Sequence, residues 1–161
     1  RYNVKKGQED ATLGEELEAV DNYIYILNVR FAGDIHFNKD VDESLENVRV
    51  PSMILQPVVE NAVNHGIRDI EWEGKIHLTV TGDADYIRIS VKDNGKGMTP
   101  EKIESVLSGN KEHCNEQSDS TGIGMNNVIS RLELYYEEPG LVEINSDGEN
   151  KGTEVVIYIP V

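Results

Sequence analysis

Two alternating runs joined by a short turn constrain the fold of this chain more than any other feature. In Lys75–Thr81 and again in Tyr86–Val91, apolar residues alternate with polar ones, and Gly82–Asp85 lies between the runs. This pattern predicts an antiparallel hairpin with one buried face. The second run ends in 93–98, Asp-Asn-Gly-Lys-Gly-Met. An acidic residue followed by glycines at a strand end suits a small-molecule pocket, because the acid can accept a hydrogen bond from a ligand and glycines let backbone come close. The same residue pattern also occurs in ordinary turns.

Length and charge limit the classes of protein that this chain can represent. Its 161 residues fit one domain with a helical extension, and 38% of them are hydrophobic. The net charge of -15 disfavours nucleic-acid binding, because an acidic surface repels phosphates. No apolar run has the length of a membrane span, and the single Cys114 fits a reducing compartment. The chain starts at Arg1 without a signal peptide, which we interpret as a fragment of a longer protein.

The N-terminal region predicts one long helix. Residues 1–11 are polar and charged, and Thr12 to Glu15 then has the form of a capping box. The apolar residues behind it recur at heptad-like spacing: Leu13, Leu17, Val20, Ile24, Leu27 and Phe31. Gly33 would end this helix. The apolar seam either packs on the helix's own domain or binds another helix or subunit.

A second helix is predicted from Met53 to Gly66. Its apolar residues occur in doublets four apart: Ile54/Leu55, Val58/Val59 and Ala62/Val63. At about 100° per residue these doublets form one face. Pro57, Glu60, Asn61 and Asn64 lie on the opposite face.

The C-terminal half predicts two helices and two strands. Thr99 and Pro100 begin a short helix that ends at Gly109, and a polar loop follows to Thr121. Thr121-Gly122-Ile123-Gly124 then opens a helix that runs to about Tyr136. Glycines at a helix start expose backbone N–H groups to an anion. Two strands, Leu141–Ile144 and Thr153–Ile159, complete the chain.

Together these ordered motifs resemble the ATP-binding domain of the GHKL superfamily, and most closely sensor histidine kinases of the LytS/YesM type. Residues 57–66 look like the N box, 93–97 like the G1 box and 121–127 like the G2 region. The resemblance implies an α/β (α+β) two-layer sandwich, the Bergerat fold. This fold has a mixed, mostly antiparallel sheet with helices on one face, here preceded by an N-terminal helix. It also implies two regions: 1–33, the linker and end of the dimerisation region, and 34–161, the catalytic domain.

The resemblance assigns roles on the adenine side of an ATP site. Asp93 would accept a hydrogen bond from the adenine amino group. Gly95 and Gly97 would let the backbone approach the base and ribose, and Thr153 would reach the adenine region directly or through water.

It also assigns roles on the phosphate side. Asn61 would bind Mg²⁺ through its side-chain oxygen, and Thr121, Gly122 and Gly124 would hold the phosphates. Residues 99–120 would form a lid that nucleotide orders. Glu60, which neighbours Asn61, is the candidate catalytic residue, as a positioning group or a contact with a partner. ATP and Mg²⁺ are the implied cofactors.

Three departures from the family pattern bear on the reaction. Pro57 occupies the position where ATP-hydrolysing members have a water-activating Glu, which favours a kinase. Asn64 replaces a basic residue that is common in histidine kinases. None of the four histidines lies in a phosphoacceptor context.

We therefore expect the catalytic domain of a two-component sensor histidine kinase, which transfers the ATP γ-phosphoryl to a His on a preceding domain. Its partners would be ATP, that phosphoacceptor domain and, indirectly, a response regulator, in a homodimeric full-length protein. We expect it to lie in the cytoplasm, as part of a membrane-anchored sensor but without touching the membrane itself. The alternatives are a nucleotide-binding regulatory module without kinase activity and a free-standing ATPase.

Overall fold

The computed structural model describes residues 9–30, 35–109 and 120–161, with only the backbone described for 120–123. The predicted helix end at Gly33 and most of the polar loop after Gly109 lie outside these residues. In the parts of the chain that are described, no helix is both long and apolar enough to cross a membrane.

A five-stranded sheet forms one layer of the structure. Its order is β2-β4-β5-β7-β6, with bounds Ile35–Val41, Gly74–Gly82, Tyr86–Asp93, Thr153–Pro160 and Val142–Asn145 respectively. Strands β2 and β4 are parallel, and the other neighbours are antiparallel. The described helices pack on one face of this sheet, which confirms the predicted fold class.

The predicted hairpin is β4–β5, and its register positions the candidate site. Asp83 closes the turn, because its Oδ1 accepts hydrogen bonds from the N–H groups of Asp85 and Tyr86 at 2.8 and 2.9 Å. The core-facing row of β5 is Ile87, Ile89, Val91 and Asp93. The two-residue period of a strand therefore brings Asp93 to the helical face, at the end of an apolar row.

The helices begin and end close to where the sequence predicts. Helix α1 is Leu13–Arg30, α2 Leu55–Asn61, α3 Pro100–Ser108 and α4 Ser120–Tyr136. The capping box is present, with the Glu15 N–H donating to Thr12 Oγ1 at 3.1 Å. Thr99 caps α3 by accepting from the Lys102 N–H, and Gly109 ends α3 with φ of 68°. The predicted helix 53–66 begins two residues later and continues beyond α2 as a π-helical turn, Ala62–Ile67.

The apolar seam of α1 packs on its own domain. Leu13, Leu17, Val20 and Ile24 are at most 5% exposed and belong to the same core as α2 and the sheet. Leu27 is partly buried against the same core, and Phe31 lies outside the described residues. The described part of the seam therefore packs on the helix's own domain. The boundary between 1–33 and 34–161 stays a prediction.

A second, two-stranded sheet closes the base of α1. Strand β1, Asp10–Thr12, pairs antiparallel with β3, Arg49–Pro51. The pairing brings Arg49 within 2.5 Å of Asp10, which lowers the pKa of that carboxyl. The start of α1 is thereby held beside the turn that leads into α2.

Candidate functional site: a buried carboxylate beside an unpaired amide

Asp93 lies at the centre of the candidate site. It is 7% exposed, and its Oδ1 accepts a hydrogen bond from the Gly95 N–H at 2.8 Å. Across the sheet it pairs with Thr153, which is also 7% exposed. The two residues that the sequence assigns to the adenine side are therefore neighbours on adjacent strands.

Burial controls the protonation of this carboxyl. It raises the pKa of Asp93 to about 6, while backbone hydrogen bonds from Gly95 and Thr153 act in the opposite direction. Burial dominates because a charged carboxylate loses its hydration. At neutral pH Asp93 is thus an ionised acceptor, and its second oxygen can meet a ligand donor.

The π-helical turn after α2 brings Gly66 against Asp93. A Cβ at Gly66 would lie 2.8 Å from both carboxylate oxygens. The Gly66 carbonyl also accepts from the Lys96 N–H at 2.8 Å, so the turn and the segment after β5 are joined. The N-box helix and the G1 segment thus form one wall of the site.

The glycines of the G1 segment pack against the backbone of other segments. A Cβ at Gly95 would overlap the carbonyl of Gly66, and a Cβ at Gly97 would overlap that of Gly148. Gly97 also has φ of 75°, which favours glycine. Their missing side chains therefore allow segments of the protein backbone to pack together, and the expectation that they also let the backbone approach the base and ribose stays a prediction.

Asn61 is the last residue of α2, and its side-chain oxygen is unpaired. Its Oδ1 is buried and has no hydrogen-bond partner among the described residues. A buried amide oxygen without a partner is unfavourable, because it has lost its hydrogen bonds to water. Native structures therefore contain few such atoms. A neutral oxygen of this kind suits a hard cation such as Mg²⁺, which takes oxygen ligands.

Glu60 lies on a different side of the same helix. Its Oε2 accepts a hydrogen bond from Gln56 Nε2 at 2.9 Å. It is also close enough to Tyr23 of α1 to help burial raise the pKa of that phenol. The hydrogen bond to Gln56 stays within α2, whereas the effect on Tyr23 reaches α1 and supports a role in contacts between helices.

The candidate phosphate side is built on α4. The helix begins at Ser120, so Thr121, Gly122 and Gly124 lie in its first turns, as predicted. A Cβ at Gly124 would meet no described atom within 4 Å, so the described residues leave the helix surface there open. Helix α4 packs beside α2, which carries Asn61. Of the predicted lid, α3 is described and residues 110–119 lie outside the described residues.

Positive charge collects next to this site despite the acidic composition. Burial lowers the pKa of His65, and the nearby Lys102, Lys96 and Arg68 lower it further. Sequence reasoning missed this cluster, although Lys96 lies within the G1 motif. This cluster supplies positive charge near the site. A basic residue in place of Asn64, as is common in histidine kinases, would supply charge of the same sign.

Two polar side chains that sequence reasoning missed hold the wall of the site in place. Asn94 Oδ1 accepts from the Lys75 N–H and its Nδ2 donates to the Glu73 carbonyl, both at 2.8 Å. Ser146 Oγ accepts from the Met98 N–H at 3.0 Å and donates to the Gly152 carbonyl at 2.7 Å. Asn94 stands inside the Asp-Asn-Gly motif, where an Asn commonly makes such local bonds, but Ser146 has no comparable signal.

Solved structures share this arrangement of sheet and helices. The structure of the mycobacterial sensor histidine kinase MprB matches with a TM-score of 0.67 at 17% identity, over 95% of this chain and 97% of that one. A catalytic domain of the histidine kinase ThkA matches with a TM-score of 0.68 at 22% identity, over 95% of each chain. At these identities the similarity shows the fold of histidine kinase catalytic domains.

Sequence comparison assigns the family. Residues 49–161 match the family described as histidine kinase-, DNA gyrase B-, and HSP90-like ATPase, and the chain belongs to it. The chain is 34% identical over 161 residues to the sensor histidine kinase YpdA of Escherichia coli K12. It is 29% identical over 160 residues to the sensor histidine kinase YesM of Bacillus subtilis 168. The predicted resemblance to kinases of the LytS/YesM type is confirmed.

The similarity to these relatives covers a small part of their length. Both alignments include 99% of this chain but 26% of the relative. The chain therefore corresponds to about a quarter of each relative.

Proposed function

We propose that this domain binds ATP with Mg²⁺ and supplies the γ-phosphoryl group for transfer to a histidine on another domain of its full-length protein. The observation that carries the proposal is the buried oxygen of Asn61, which has no hydrogen-bond partner in the described part of the chain and is followed by a turn that contacts Asp93. An acceptor for adenine and a cation ligand at one site fit a magnesium nucleotide.

On the adenine side, Asp93 is the residue that selects the base. Its Oδ1 is already engaged by the Gly95 N–H, so its second oxygen would accept from the adenine amino group. A carboxylate in this position rejects guanine, because it would face the guanine carbonyl oxygen. Thr153, paired with Asp93, would complete the contact directly or through water.

On the phosphate side, Asn61 would hold the cation and the first turn of α4 would hold the phosphates. Bound Mg²⁺ would neutralise charge on the phosphate oxygens during phosphoryl transfer. Backbone N–H groups at Thr121 and Gly122 would donate to those oxygens, since the first N–H groups of a helix have no partner within it. Gly124, which has no side chain, would let the phosphates approach the helix surface. Lys96 and Lys102 would add positive charge.

A kinase fits the site better than an ATPase that activates water. Pro57 lies in the first turn of α2, one turn before Asn61, and has no side-chain group that could act as a base. Glu60 is engaged by Gln56 and is close to Tyr23, which supports a contact role for it over a role as a base. Transfer to a protein histidine needs positioning and charge neutralisation more than water activation.

The partners follow from this function. The phosphoacceptor histidine would belong to a dimerisation domain that precedes this domain, and a response regulator would receive the phosphoryl group afterwards. We propose that residues 1–33 connect to that dimerisation domain, that 34–161 form the catalytic domain, and that the full-length protein is a homodimer. We also propose a cytoplasmic location for the domain, within a membrane-anchored sensor.

Calorimetry with Mg-ATP tests the site. We expect binding by the wild-type chain and a loss of at least about tenfold in Asp93→Asn, because Gly95 would hold the amide oxygen and leave the NH₂ group facing the adenine amino group. Undiminished binding in that variant would contradict the adenine assignment. A protein extended upstream to include the phosphoacceptor helices should incorporate phosphate from labelled ATP, and failure to do so while binding ATP would contradict the kinase assignment.

A further inference from the structure

A carboxylate from α1 holds the backbone that begins α2. Glu16 is 6% exposed, and its two oxygens accept hydrogen bonds from three successive backbone N–H groups. Oε2 accepts from Met53 at 3.0 Å, and Oε1 accepts from Ile54 at 2.8 Å and Leu55 at 3.2 Å. These N–H groups would otherwise lack partners, because they lie just before the helix or at its first residue.

The backbone at this point has the geometry of an anion-binding site. Met53 has φ of 60°, an uncommon conformation for a residue with a side chain, and Ile54 is right-handed helical. Successive N–H groups in such a turn point to one side and form a concavity for an anion. Here the anion is the carboxylate of Glu16, so the strained turn persists because a charged group from α1 occupies it.

A second contact holds the same segment from α4. Arg131 Nη2 donates a hydrogen bond to Ser52 Oγ at 3.0 Å. The start of α2 is therefore fixed between α1, through Glu16, and α4, through Arg131.

The far end of α2 carries Asn61. The helix is seven residues long, so its two ends are about 10 Å apart and a rotation at the start moves the end. Asn61 Oδ1 has no hydrogen-bond partner among the described residues that could orient it. The position of this oxygen therefore depends on the helix that carries it.

We infer that Glu16 is a positioning residue for the magnesium side of the nucleotide site: by fixing the start of α2, it places the Asn61 oxygen. This inference rests on the proposed function. Asp93 is held separately, by Gly95 and by its strand. Loss of the Glu16 carboxylate should therefore weaken the metal-dependent part of nucleotide binding and spare the adenine part.

The test compares Glu16→Gln with the wild-type chain in two calorimetric titrations. One uses Mg-ATP, and the other uses ATP with a chelator that removes divalent cations. We expect Mg-ATP to bind about threefold to tenfold more weakly to the variant, and metal-free ATP to bind equally to both proteins. Glu15→Gln is the matched control, because Glu15 is adjacent but caps α1, and it should leave both affinities unchanged.

The outcomes separate this inference from the proposed function. If magnesium does not strengthen ATP binding by the wild-type chain, the proposed function itself fails. If magnesium strengthens binding equally in the wild type and in Glu16→Gln, only the role of Glu16 is wrong. An equal loss with and without magnesium would show a general structural defect and would also overturn the inference.

A second variant covers the case in which Glu16→Gln does not fold. Glu16→Asp keeps the charge but is one methylene shorter, so it cannot reach all three N–H groups at once. It should show a smaller, magnesium-dependent loss. Unchanged Mg-ATP binding in Glu16→Asp, or unfolding of both variants, would contradict the positioning role.

Discussion

Gly66 lies so close to Asp93 that a Cβ atom on it would be 2.8 Å from both carboxylate oxygens. Gly66 is the last residue of the N box, and Asp93 is the last residue of β5. Their contact therefore joins the two halves of the candidate site. It exists because the helix continues past α2 as a π-helical turn. Such turns within helices are frequent at functional sites.

Gly66→Ala should therefore both destabilise the fold and weaken ATP binding. The added methyl group must displace the Asp93 carboxylate or the turn, and overpacking of this kind costs about 1–3 kcal/mol. We expect a lower midpoint in thermal unfolding and a loss of ATP affinity measured by calorimetry. Gly124→Ala is the control for folding, because a Cβ there meets no atom of the described residues within 4 Å; its unfolding midpoint should stay the same or rise. A Gly66→Ala variant with wild-type stability and affinity would contradict the described contact.

The raised pKa of Asp93 predicts how stability changes with pH. Its pKa is about 6 in the folded chain against a usual 3.8, so between these values the folded state binds a proton that the unfolded state has lost. The contribution of Asp93 to stability is therefore most favourable below about pH 4 and falls as pH rises to about 6, by an amount on the order of 3 kcal/mol. Denaturant titrations at several pH values in this range give the free energy of unfolding of the wild type and of Asp93→Asn. The wild-type value minus the variant value should fall as pH rises. If the free energy of unfolding changes equally with pH in both proteins, the raised pKa is wrong.

Part of this site could be predicted from sequence and part could not, for physical reasons. The alternation of β5 determines which face Asp93 lies on, and the spacing of Thr99, Pro100 and Gly109 determines where α3 begins and ends. The heptad spacing of Leu13 to Ile24 predicted a buried row, but periodicity does not say which surface covers it. Glu16 looks like an ordinary charged helical residue, because its partners Met53 to Leu55 are distant in sequence. The purpose of Gly95 required the position of Gly66, which no local pattern encodes.

Asn61→Ala should separate stability from binding. The side-chain oxygen is buried and has no hydrogen-bond partner within 9–30, 35–109 and 120–161, so its removal relieves an unsatisfied polar atom, and Ala also favours a helix. We expect the unfolding free energy of the nucleotide-free variant to equal or exceed that of wild type, while magnesium no longer strengthens ATP binding. Sites that sacrifice stability for function commonly behave in this way. A clear loss of stability would instead indicate that the oxygen has a structural partner.

Trp72 offers a direct optical measurement of nucleotide binding. It is the only tryptophan of the chain, is 41% exposed, and donates a hydrogen bond from Nε1 to the Asn94 carbonyl at 2.7 Å. Asn94 follows Asp93 directly, so a ligand that moves or stiffens this segment changes the environment of the indole. We expect Mg-ATP to shift the intensity or maximum of tryptophan fluorescence in a saturable way, with the same midpoint as calorimetry. The signal should disappear in Asp93→Asn and persist in Glu60→Gln, since Glu60 contacts Gln56. A signal that persists in Asp93→Asn would mean that ATP acts on Trp72 from a different site.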